Sequence, residues 1–345
     1  MEYKGRYKIF TQSLVKTYSL NKKHRKVSIK NFIKPECIEK LFLDVPKDIE
    51  KKIISIVNHI ARAKEKDKPV MIFSGAHLVK NGLSLLLIDL IKRDIITFVS
   101  GNGAIAIHDF EIALLGKTSE DVAKTLPMGK FGMAYEFNYI NKALAIGNDY
   151  SLGLGESLGK MICDSGFCSK VLSQLNKGNE SIEFLYPEIS LLATCYKKKV
   201  PFTIHAGIGT DVTDQHPSFD GEAKGGCSAR DFLIYTNEIT KISQGGVILN
   251  IGSAVTGPEV LLKATSMAAN IGKAPKKIIT ADFDIREEAL NKNTEESNAK
   301  YYYRDQKSVV NRIPQAFGGK GYYVQGDQIK TFPLLYKKII ERIFK

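Results

Sequence analysis

One stretch near the start of the chain has the apolar spacing of a helix that packs on a core. Between residues 46 and 66, lysines separate apolar residues that recur at intervals of three and four: Ile49, Ile53, Ile56, Val57 and Ile60. Such spacing places these side chains on one face of an α-helix. The pattern therefore predicts an amphipathic helix over residues 46–66.

Short apolar runs that end at glycine or at polar residues follow this helix. They predict strands at residues 69–73, 94–99, 200–204, 246–251, 277–281 and 321–324. Segments predicted to be helical lie between and after them, at residues 81–92, 186–199, 230–242, from residue 257 onward and at 333–344. Strands that alternate with helices are typical of βαβ units, in which the strands are parallel. The pattern predicts an α/β fold.

Changes in composition indicate how the chain is divided. Residues 1–45 are irregular and basic, which predicts an arm that packs on the body or on a neighbouring subunit. Residues 46–345 are predicted to form a single α/β domain, with a helical excursion around residues 116–180. The polar segment 285–300 is predicted to be a loop or disordered.

Composition narrows the class of protein. The 345 residues are 43% hydrophobic and 25% charged, which is typical of a globular protein. We find no apolar run of about 18 residues or more and no apolar core of a secretory signal, so we predict neither a membrane partner nor secretion. The five cysteines are odd in number, scattered and without a CxxC pair, which favours reduced thiols. We expect a cytoplasmic protein.

The formal charge of +13 raises the question of nucleic-acid binding. The lysines are spread over predicted helix faces and are densest in the first 34 residues. No basic ribbon interleaved with aromatic residues and no zinc finger accompanies them. This distribution favours a solvated lysine-rich surface over a nucleic-acid interface.

The strongest candidate site follows the strand in the segment VPFTIHAGIGTDVTDQHP, residues 200–217. Four side chains able to bind or to exchange protons follow one another there: His205, Asp211, Asp214 and His216. In an open parallel sheet, ligands bind at the carboxyl ends of the strands. His205, Asp214 and His216 are therefore acid/base candidates. A metal is an alternative, because imidazole and carboxylate are legitimate ligands, but the loop has no HxH or HxxxH spacing.

Two further segments carry candidate binding groups. The turn at residues 100–103 brings glycines to the start of a helix, where backbone amides can bind phosphate, although such turns are also simple tight connections. In that helix His108 and Glu111 share a face and could hold a metal or a ribose, or be solvated. Asp282 and Asp284, predicted to follow a strand, could hold a ribose hydroxyl or an amine, or lie in a solvated turn.

Several segments resemble deoxyhypusine synthase. The resemblance starts with GAHLVKNGLSLLLIDLIKRDIITFVSGNGAIAIHDFEIALLGKTSED, which is similar to the first βαβ unit of that family. It continues through GTDVTDQHPSFDGEAKGGCSARDFLIYTNEITKI, GVILNIGSAVTGPEVLLKATSMAANIGK and IITADFDIRE, and covers roughly residues 70–330. The resemblance implies a Rossmann-like parallel sheet flanked by helices. It also implies bound NAD and a homotetramer with active sites at a dimer interface.

The resemblance assigns candidate cofactor contacts by position. The candidate NAD-binding residues are Ser74, Gly75, Ser100, Gly101, Gly103, Glu111, Asp211, Gly252, Ser253, Asp282 and Asp284.

The positions that carry the family's chemistry differ in this chain. The family forms an imine on the lysine of a Trp-Gly-Lys-Ile sequence, whereas the matching residues here are Val310, Asn311, Arg312 and Ile313. A guanidinium that stays protonated cannot form this imine. Gln306 replaces the family's polyamine-binding glutamate, and residues 257–259 (Gly-Pro-Glu) replace its Lys-His-His run.

These differences predict a divergent member that has kept the nucleotide and changed its substrate. Arg312 and Arg304 would suit an anionic or carboxylate-bearing substrate, and Arg312 would orient it. We predict an NAD-binding enzyme, a transferase or an oxidoreductase, that acts at a C–N or C–O bond of a small molecule other than the usual polyamine and lysine pair. The alternatives are a non-catalytic NAD-binding regulatory protein and a metal-assisted hydrolase or lyase that uses the 205–216 loop.

Overall fold

A computed structural model describes residues 3–20, 25–175, 182–289 and 297–344. Its strands are β1 (Arg25–Ser28), β2 (Val70–Ser74), β3 (Phe98–Asn102), β4 (Lys117–Glu120), β5 (Phe202–His205), β6 (Val247–Ile251), β7 (Ile279–Asp284) and β8 (Lys320–Gln325). Its helices are α1 (Lys47–Glu65), α2 (His77–Lys80), α3 (Ser84–Lys92), α4 (Gly103–Leu115), α5 (Val122–Thr125), α6 (Phe137–Asp149), α7 (Leu154–Cys163), α8 (Ser165–Ser173), α9 (Leu191–Lys198), α10 (Gly221–Ile239), α11 (Thr256–Asn270), α12 (Ile313–Ala316) and α13 (Gln328–Phe344). A π-helix, Gln306–Arg312, precedes α12.

Six strands form one parallel sheet, in the order β5-β3-β2-β6-β7-β8. When these six are numbered along the chain, the order is 3-2-1-4-5-6, that of a dinucleotide-binding Rossmann sheet. The order reverses between β2 and β6. The predicted fold class, a Rossmann-like parallel sheet flanked by helices, is confirmed.

The sheet is covered on both faces, which explains why its strands are continuous apolar runs. Val70 and Ile72 of β2 pack in one core with α1, α3 and α4, whereas Met71 and Phe73 pack in the other with α10 and α11. This alternation follows from the two-residue period of a strand. Polar groups at the sheet are therefore found mainly where the strands end.

Several elements differ from their predicted bounds, among them α9, which begins at Leu191, and α13, which begins at Gln328. Three further differences bear on the site. α10 begins at Gly221 rather than at residue 230, because Asp220 caps it by accepting from the amides of Glu222 and Ala223. β3 begins at Phe98 rather than at residue 94, since Asp94 has a φ of 55° and belongs to a turn. β7 extends to Asp284, so that Asp282 and Asp284 lie in the strand and not in a turn after it.

The segment before α1 contacts the body of the protein. Tyr18 pairs with Ala134, and β1 pairs antiparallel with β4, with Arg25 opposite Glu120. Residues 1–2 and 21–24 of the predicted arm, and residues 290–296 of the predicted loop, lie outside the described residues.

The region predicted as a helical excursion contains β4 and α5 to α8. Its residues 176–181 also lie outside the described part of the chain. Among the helices that the structure describes, none combines the length and the apolar character needed to cross a membrane.

Candidate functional site

The carboxyl edge of the sheet carries a cavity of about 590 Å³, which we name the strand-end cavity. Its walls come from five elements of the fold: residues 102–104 where β3 passes into α4, residues 205–208 after β5, Lys224 and Phe232 of α10, and Thr256 of α11. Since α11 follows β6, the cavity lies beside the point where the strand order reverses. Ligands of doubly wound sheets bind at this place.

Two helix N-termini face the strand-end cavity. Gly103 and Ala104 begin α4, and Thr256 begins α11; both helices exceed three turns. The side chain of Asn102 caps α4 by accepting from the amide of Ile105. The first amides of a helix are unsatisfied donors at the positive end of its dipole, so the arrangement can bind an anion.

Asp211 lies directly against the start of α4. A Cβ atom on Gly103 would stand 1.9 Å from Oδ2 of Asp211. No side chain fits in that space, because real Cβ contacts are never so short. Glycine at position 103 therefore allows the carboxylate to approach the helix end.

Lys224 holds the loop after β5 together. Its Nζ donates to Oδ2 of Asp211 at 2.8 Å and to Oδ1 of Asp214 at 2.5 Å, and lies 3.5 Å from the carbonyl of Gly207. Asp214 also accepts from the amide of Gly209 at 2.7 Å. Lys224 is only 3% exposed, so this is a buried cluster with one ammonium and two carboxylates.

Burial raises the pKa of Asp211, and the charge and hydrogen bond of Lys224 oppose that rise. Burial thus favours the neutral form of the Asp211 carboxyl group, and the ammonium of Lys224 favours its ionised form. The sequence analysis missed Lys224, because a lysine in a helix is most often solvated.

His205 ends β5 and lines the strand-end cavity. Its Nε2 lies 3.2 Å from Oγ1 of Thr203, which is 2.7 Å from Oγ of Ser100. The ring stacks on Phe73, with centroids 5.5 Å apart, and meets Tyr235 edge-on. Burial lowers the pKa of His205 to about 3, so the ring is neutral near pH 7.

His216 does not line the strand-end cavity. It is buried, its Nδ1 accepts from the amide of Ser218 at 3.1 Å, and its Nε2 has no hydrogen-bond partner in the described part of the chain. Burial lowers its pKa to about 4. Of the two histidines of this loop, the structure thus places only His205 at the strand-end cavity.

The glycine and serine residues at the strand reversal bring two backbones into contact. A Cβ on Gly75 would stand 2.5 Å from the carbonyl oxygen of Gly252. Ser74 Oγ donates to the carbonyl of Gly75 at 3.0 Å, and Ser253 Oγ accepts from the amide of Gly257 at 2.9 Å. Gly101 lies within β3, and its added Cβ would meet the Ile105 side chain and the carbonyl of Ser74. These residues set the close packing of the edge.

Asp282 and Asp284 belong to a separate acidic cluster at the ends of β7 and the π-helix. Asp282 is fully buried and accepts from Nδ2 of Asn250 at 2.6 Å, while its Oδ2 has no hydrogen-bond partner among the residues that the structure describes. Burial and then the nearby Asp305 raise its pKa. Arg286 pairs with Asp284 at 2.9 Å and also with Asp305. None of these residues lines the strand-end cavity.

Glu111 lines a second cavity, of about 260 Å³, which we name the Arg25 cavity. Oε1 of Glu111 pairs with Nη1 of Arg25 at 3.2 Å, and its Oε2 accepts from the hydroxyl of Thr118. Although burial alone would raise it, His108 and Arg25 lower the pKa of Glu111 below its usual value. The carboxylate is therefore ionised and structural, and its partner Arg25 is a second residue that the sequence analysis missed.

The two cavities meet at a common wall. Ala104, Thr210 and Asp211 line both of them. The structure therefore brings His205, Gly103, Asp211 and Asp214 into one neighbourhood and places Glu111 in the adjoining one.

Arg312 lies apart from both cavities. It is exposed, ends the π-helix, and has its guanidinium 5.9 Å from the ring centre of Tyr301. Arg304, which we also expected to suit an anionic substrate, faces Glu259 at 3.6 Å.

The residues that the structure describes contain no group of three histidine, cysteine, aspartate or glutamate side chains that could hold a metal ion. In the 205–216 loop, Asp211 and Asp214 are already paired with Lys224. The geometry gives the metal-assisted alternative no support.

No protein-family model and no curated protein matches this chain. Among solved structures, it is similar to ArgZ, an arginine dihydrolase from the ornithine-ammonia cycle in cyanobacteria, with 15% identity, a TM-score of 0.47, and coverage of 86% of this chain and 32% of that one. It is also similar to AgrE in a ternary complex with ornithine and NAD⁺, with 14% identity, a TM-score of 0.47, and coverage of 88% and 34%. The chain thus spans about a third of the length of these two proteins.

A third similar structure comes from Entamoeba histolytica, a protein proposed to be a deoxyhypusine synthase. It shares 9% identity and a TM-score of 0.48, with coverage of 95% of this chain and 98% of that one. At these identities and TM-scores the likeness identifies no family for this chain.

Proposed function

We propose that this chain is an NAD-binding enzyme that acts at a C–N or C–O bond of a small-molecule substrate. The observation that supports it most is the strand-end cavity, which lies beside the strand reversal of a 3-2-1-4-5-6 sheet and faces the N-termini of α4 and α11. Ligand pockets are typically about 300–1,000 Å³ in volume, and the 590 Å³ cavity falls within that range.

The residues around the strand-end cavity are of the kinds that bind a dinucleotide. The amides of Ile105 and Gly257 are bonded to Asn102 and Ser253, so the remaining first amides of α4 and α11 would face its phosphates. Asn102 and Asp211 lie at the end of β3, where a ribose hydroxyl is bound in Rossmann sheets. NAD, when bound, would supply the capacity to accept and return a hydride. The turn from β3 into α4, Gly101-Asn102-Gly103-Ala104-Ile105-Ala106, has the GxGxxG/A spacing with alanine at the last position, so contacts to the phosphates would be made by this turn and by the helix ends.

The chain's own residues would bind the ligand and move a proton. His205 lines the cavity and is neutral near pH 7, so it would hydrogen-bond a ligand there. With a pKa of about 3 it is a weak base, and it would accept a proton only when negative charge on a bound ligand raises that pKa. Asp214 is engaged by Lys224, so it would act by holding the loop. His216 is remote from the cavity, and we no longer assign it a role in proton transfer.

The remaining parts of the proposal come from the sequence. The resemblance to deoxyhypusine synthase supports transferase or oxidoreductase chemistry and a homotetramer in a cytoplasmic setting. Arg312 lines neither cavity of its own chain, so any role in orienting the substrate would require a neighbouring subunit.

Nucleotide extraction from purified protein, followed by mass spectrometry, tests the proposal directly. Thermal unfolding with and without added NAD gives a second measurement. Ala104→Asp would place a carboxylate at the start of α4, where it remains compatible with the helix but repels phosphate. Ala104→Asn has the same shape without the charge and serves as the control.

We expect the aspartate variant to bind NAD about tenfold or more weakly than the asparagine variant. Absence of NAD from the extract, together with no thermal shift on adding NAD, would contradict the proposal.

A second candidate function is a non-catalytic NAD-binding regulatory protein. The burial of His216 and the low pKa of His205 favour it. NAD binding that His205→Gln leaves intact, with no hydride transfer to or from any small-molecule panel, would select this alternative.

A further inference from the structure

Three hydrogen-bonding side chains form a row that runs inward from the strand-end cavity. His205 lines the cavity, Thr203 lies two residues earlier on the same face of β5, and Ser100 lies opposite Thr203 on β3. Nε2 of His205 is 3.2 Å from Oγ1 of Thr203, which is 2.7 Å from Oγ of Ser100. Thr203 and Ser100 are both buried, so the inner end of the row is closed to solvent.

The buried end of this row sets the direction of its hydrogen bonds. The hydroxyl of Ser100 has one partner among the described residues, Oγ1 of Thr203. If Ser100 did not donate to it, the hydroxyl proton would be buried without an acceptor, which is costly. Ser100 therefore donates to Thr203, and the hydroxyl of Thr203 donates in turn to Nε2 of His205.

This direction selects one tautomer of His205. A nitrogen that accepts a hydrogen bond carries no proton, so the neutral ring has its proton on Nδ1. Burial lowers the pKa of His205 to about 3, which keeps the ring neutral near pH 7. Nδ1 has no hydrogen-bond partner among the described residues, and it is not one of the unpartnered polar atoms that are fully buried. Nδ1–H is therefore an unused donor that a ligand in the cavity can reach.

The surrounding aromatic rings and the same network fix the orientation of the imidazole. It stacks on Phe73 and meets Phe232 and Tyr235 edge-on. Turning the ring over would place a carbon opposite Thr203 and remove the acceptor of its hydroxyl. Nε2 therefore stays on the inner side, and Nδ1 stays accessible.

The charges of the cavity lining limit the acceptor that Nδ1–H can meet. Lys224 is the only cationic residue of that lining, and its ammonium already pairs with Asp211 and Asp214. A ligand carboxylate at His205 would bring a further negative charge to this neighbourhood without an unpaired cation to compensate it. An uncharged carbonyl oxygen accepts from Nδ1–H without that cost.

We propose that Ser100 and Thr203 hold His205 in its Nδ1–H tautomer, and that His205 donates from Nδ1 to an uncharged carbonyl oxygen of the ligand in the strand-end cavity. Ser100 and Thr203 are positioning residues, because they act through His205. The part that concerns the ligand rests on the proposed function. The carbonyl belongs either to the carboxamide of the cofactor's nicotinamide or to the substrate.

The tautomer is measured on the full chain without a ligand, by long-range ¹H–¹⁵N NMR correlation of ¹⁵N-labelled histidine. The chain has six histidines, and His205→Gln identifies the signals of His205. We expect a protonated Nδ1 and an unprotonated Nε2 near pH 7.

Two variants test the role of the buried hydroxyl groups. Ser100→Ala leaves the Thr203 hydroxyl free either to donate to Nε2 or to accept from it, so the ratio of the Nε2–H to the Nδ1–H tautomer should rise about tenfold or more. Thr203→Ser keeps the hydroxyl and should keep the wild-type ratio. Ser100→Cys, whose thiol is a weak donor, should raise the ratio by a smaller factor, and it replaces Ser100→Ala if that variant does not fold.

Four probes identify the acceptor: NAD, ADP-ribose, which lacks the nicotinamide, acetamide, and its charged counterpart acetate. If the cofactor supplies the carbonyl, NAD should shift the Nδ1 signal of His205 and ADP-ribose should not. If the substrate supplies it, acetamide added to the NAD-bound protein should shift the signal that NAD alone leaves in place. Acetate should bind at least about tenfold more weakly than acetamide, and His205→Phe should bind the probe that shifts the signal about tenfold more weakly than the wild type.

The two parts of the inference fail on different results. An Nε2–H tautomer in the wild-type protein, or a tautomer ratio that the Ser100 variants leave unchanged, would overturn the first part whatever binds. NAD binding with no change at Nδ1 on adding any probe would overturn the second part and leave the proposed function intact. If neither NAD nor ADP-ribose binds, the proposed function fails together with the second part, and the ligand-free spectra still decide the first.

Discussion

Removal of the Lys224 ammonium is the most direct perturbation of the strand-end cavity. Lys224→Met retains the length of the side chain and deletes its charge. Asp211 and Asp214, whose side chains are each 6% exposed, would then lie buried without a counter-ion. We expect the loop at residues 205–216 to lose its anchor.

The size of the effect follows from the burial of the cluster. Breaking a buried ion pair by removing one partner costs about 3–5 kcal/mol, because an uncompensated charge remains. Asp214 retains its bond from the amide of Gly209, so we place the loss near about 3 kcal/mol.

The loss of stability in Lys224→Met should also depend on pH, and the pKa of Asp211 gives its direction. Burial already raises the pKa of Asp211 in the native protein, and removing Lys224 raises it further. A carboxyl whose folded-state pKa exceeds its unfolded value, about 3.9, loses stability as pH rises through the folded pKa. Lys224→Met should therefore be more destabilised near about pH 8 than near about pH 5.

The free energy of unfolding at each pH is measured by urea unfolding followed by far-UV circular dichroism. Tryptophan fluorescence cannot be used, because the chain has no tryptophan. Lys241→Met, just after the same helix, is the control: its side chain is 56% exposed and paired to Glu238, so stability should change by less than about 1 kcal/mol. The double variant Lys224→Met/Asp211→Asn should lose less than the sum of the single variants. A Lys224→Met variant that matches the control, with no dependence on pH, would refute the reasoning.

Two further predictions concern the same edge of the sheet. The pKa of His205 lies at about 3, below its unfolded value, so its contribution to the free energy of unfolding is present above about pH 6.5 and is lost as pH falls. Between about pH 6.5 and about pH 5, the free energy of unfolding of His205→Phe should therefore fall by about 2 kcal/mol less than that of the wild type. Parallel curves of stability against pH would contradict this. Gly103→Ala should displace the Asp211 carboxylate and cost about 1–3 kcal/mol. Gly225→Ala, whose Cβ would meet nothing within 4 Å, should be neutral or stabilising, and equal losses in both glycine variants would exclude the proposed clash.

The sequence predicted the sheet well because its strands are buried on both faces. Continuous apolar runs such as residues 70–73 and 247–251 have few other interpretations when glycine turns follow them. The start of α10 was harder to predict. The stretch GEAKGGCSA has no apolar periodicity, and only the cap at Asp220 marks where the helix begins.

The sequence predicted those residues of the candidate site that are close together along the chain, and missed those whose partners are distant. His205, Asp211 and Asp214 follow one strand, so their proximity could be expected from the rule on strand ends. Lys224 comes from the next helix, and its burial depends on a loop that folds back over α10.

Other site residues depend on partners still further away. Arg25 lies in a basic segment whose charges look alike in sequence, and only its pairing with Glu111 and Glu120 distinguishes it. Asp282 looked like a residue at a strand end, but β7 continues past it and buries it.

The wall that the two cavities share links their occupancies. Asp211 lies against the start of α4 on one side, and it borders the Arg25 cavity on the other. A ligand that shifts this carboxylate from either side changes the space and the field that a second ligand meets. By thermodynamic linkage, if one ligand changes the affinity for the other by some factor, the second ligand changes the affinity for the first by the same factor. Cooperativity between ligands of the two cavities is therefore a property that this single aspartate can set.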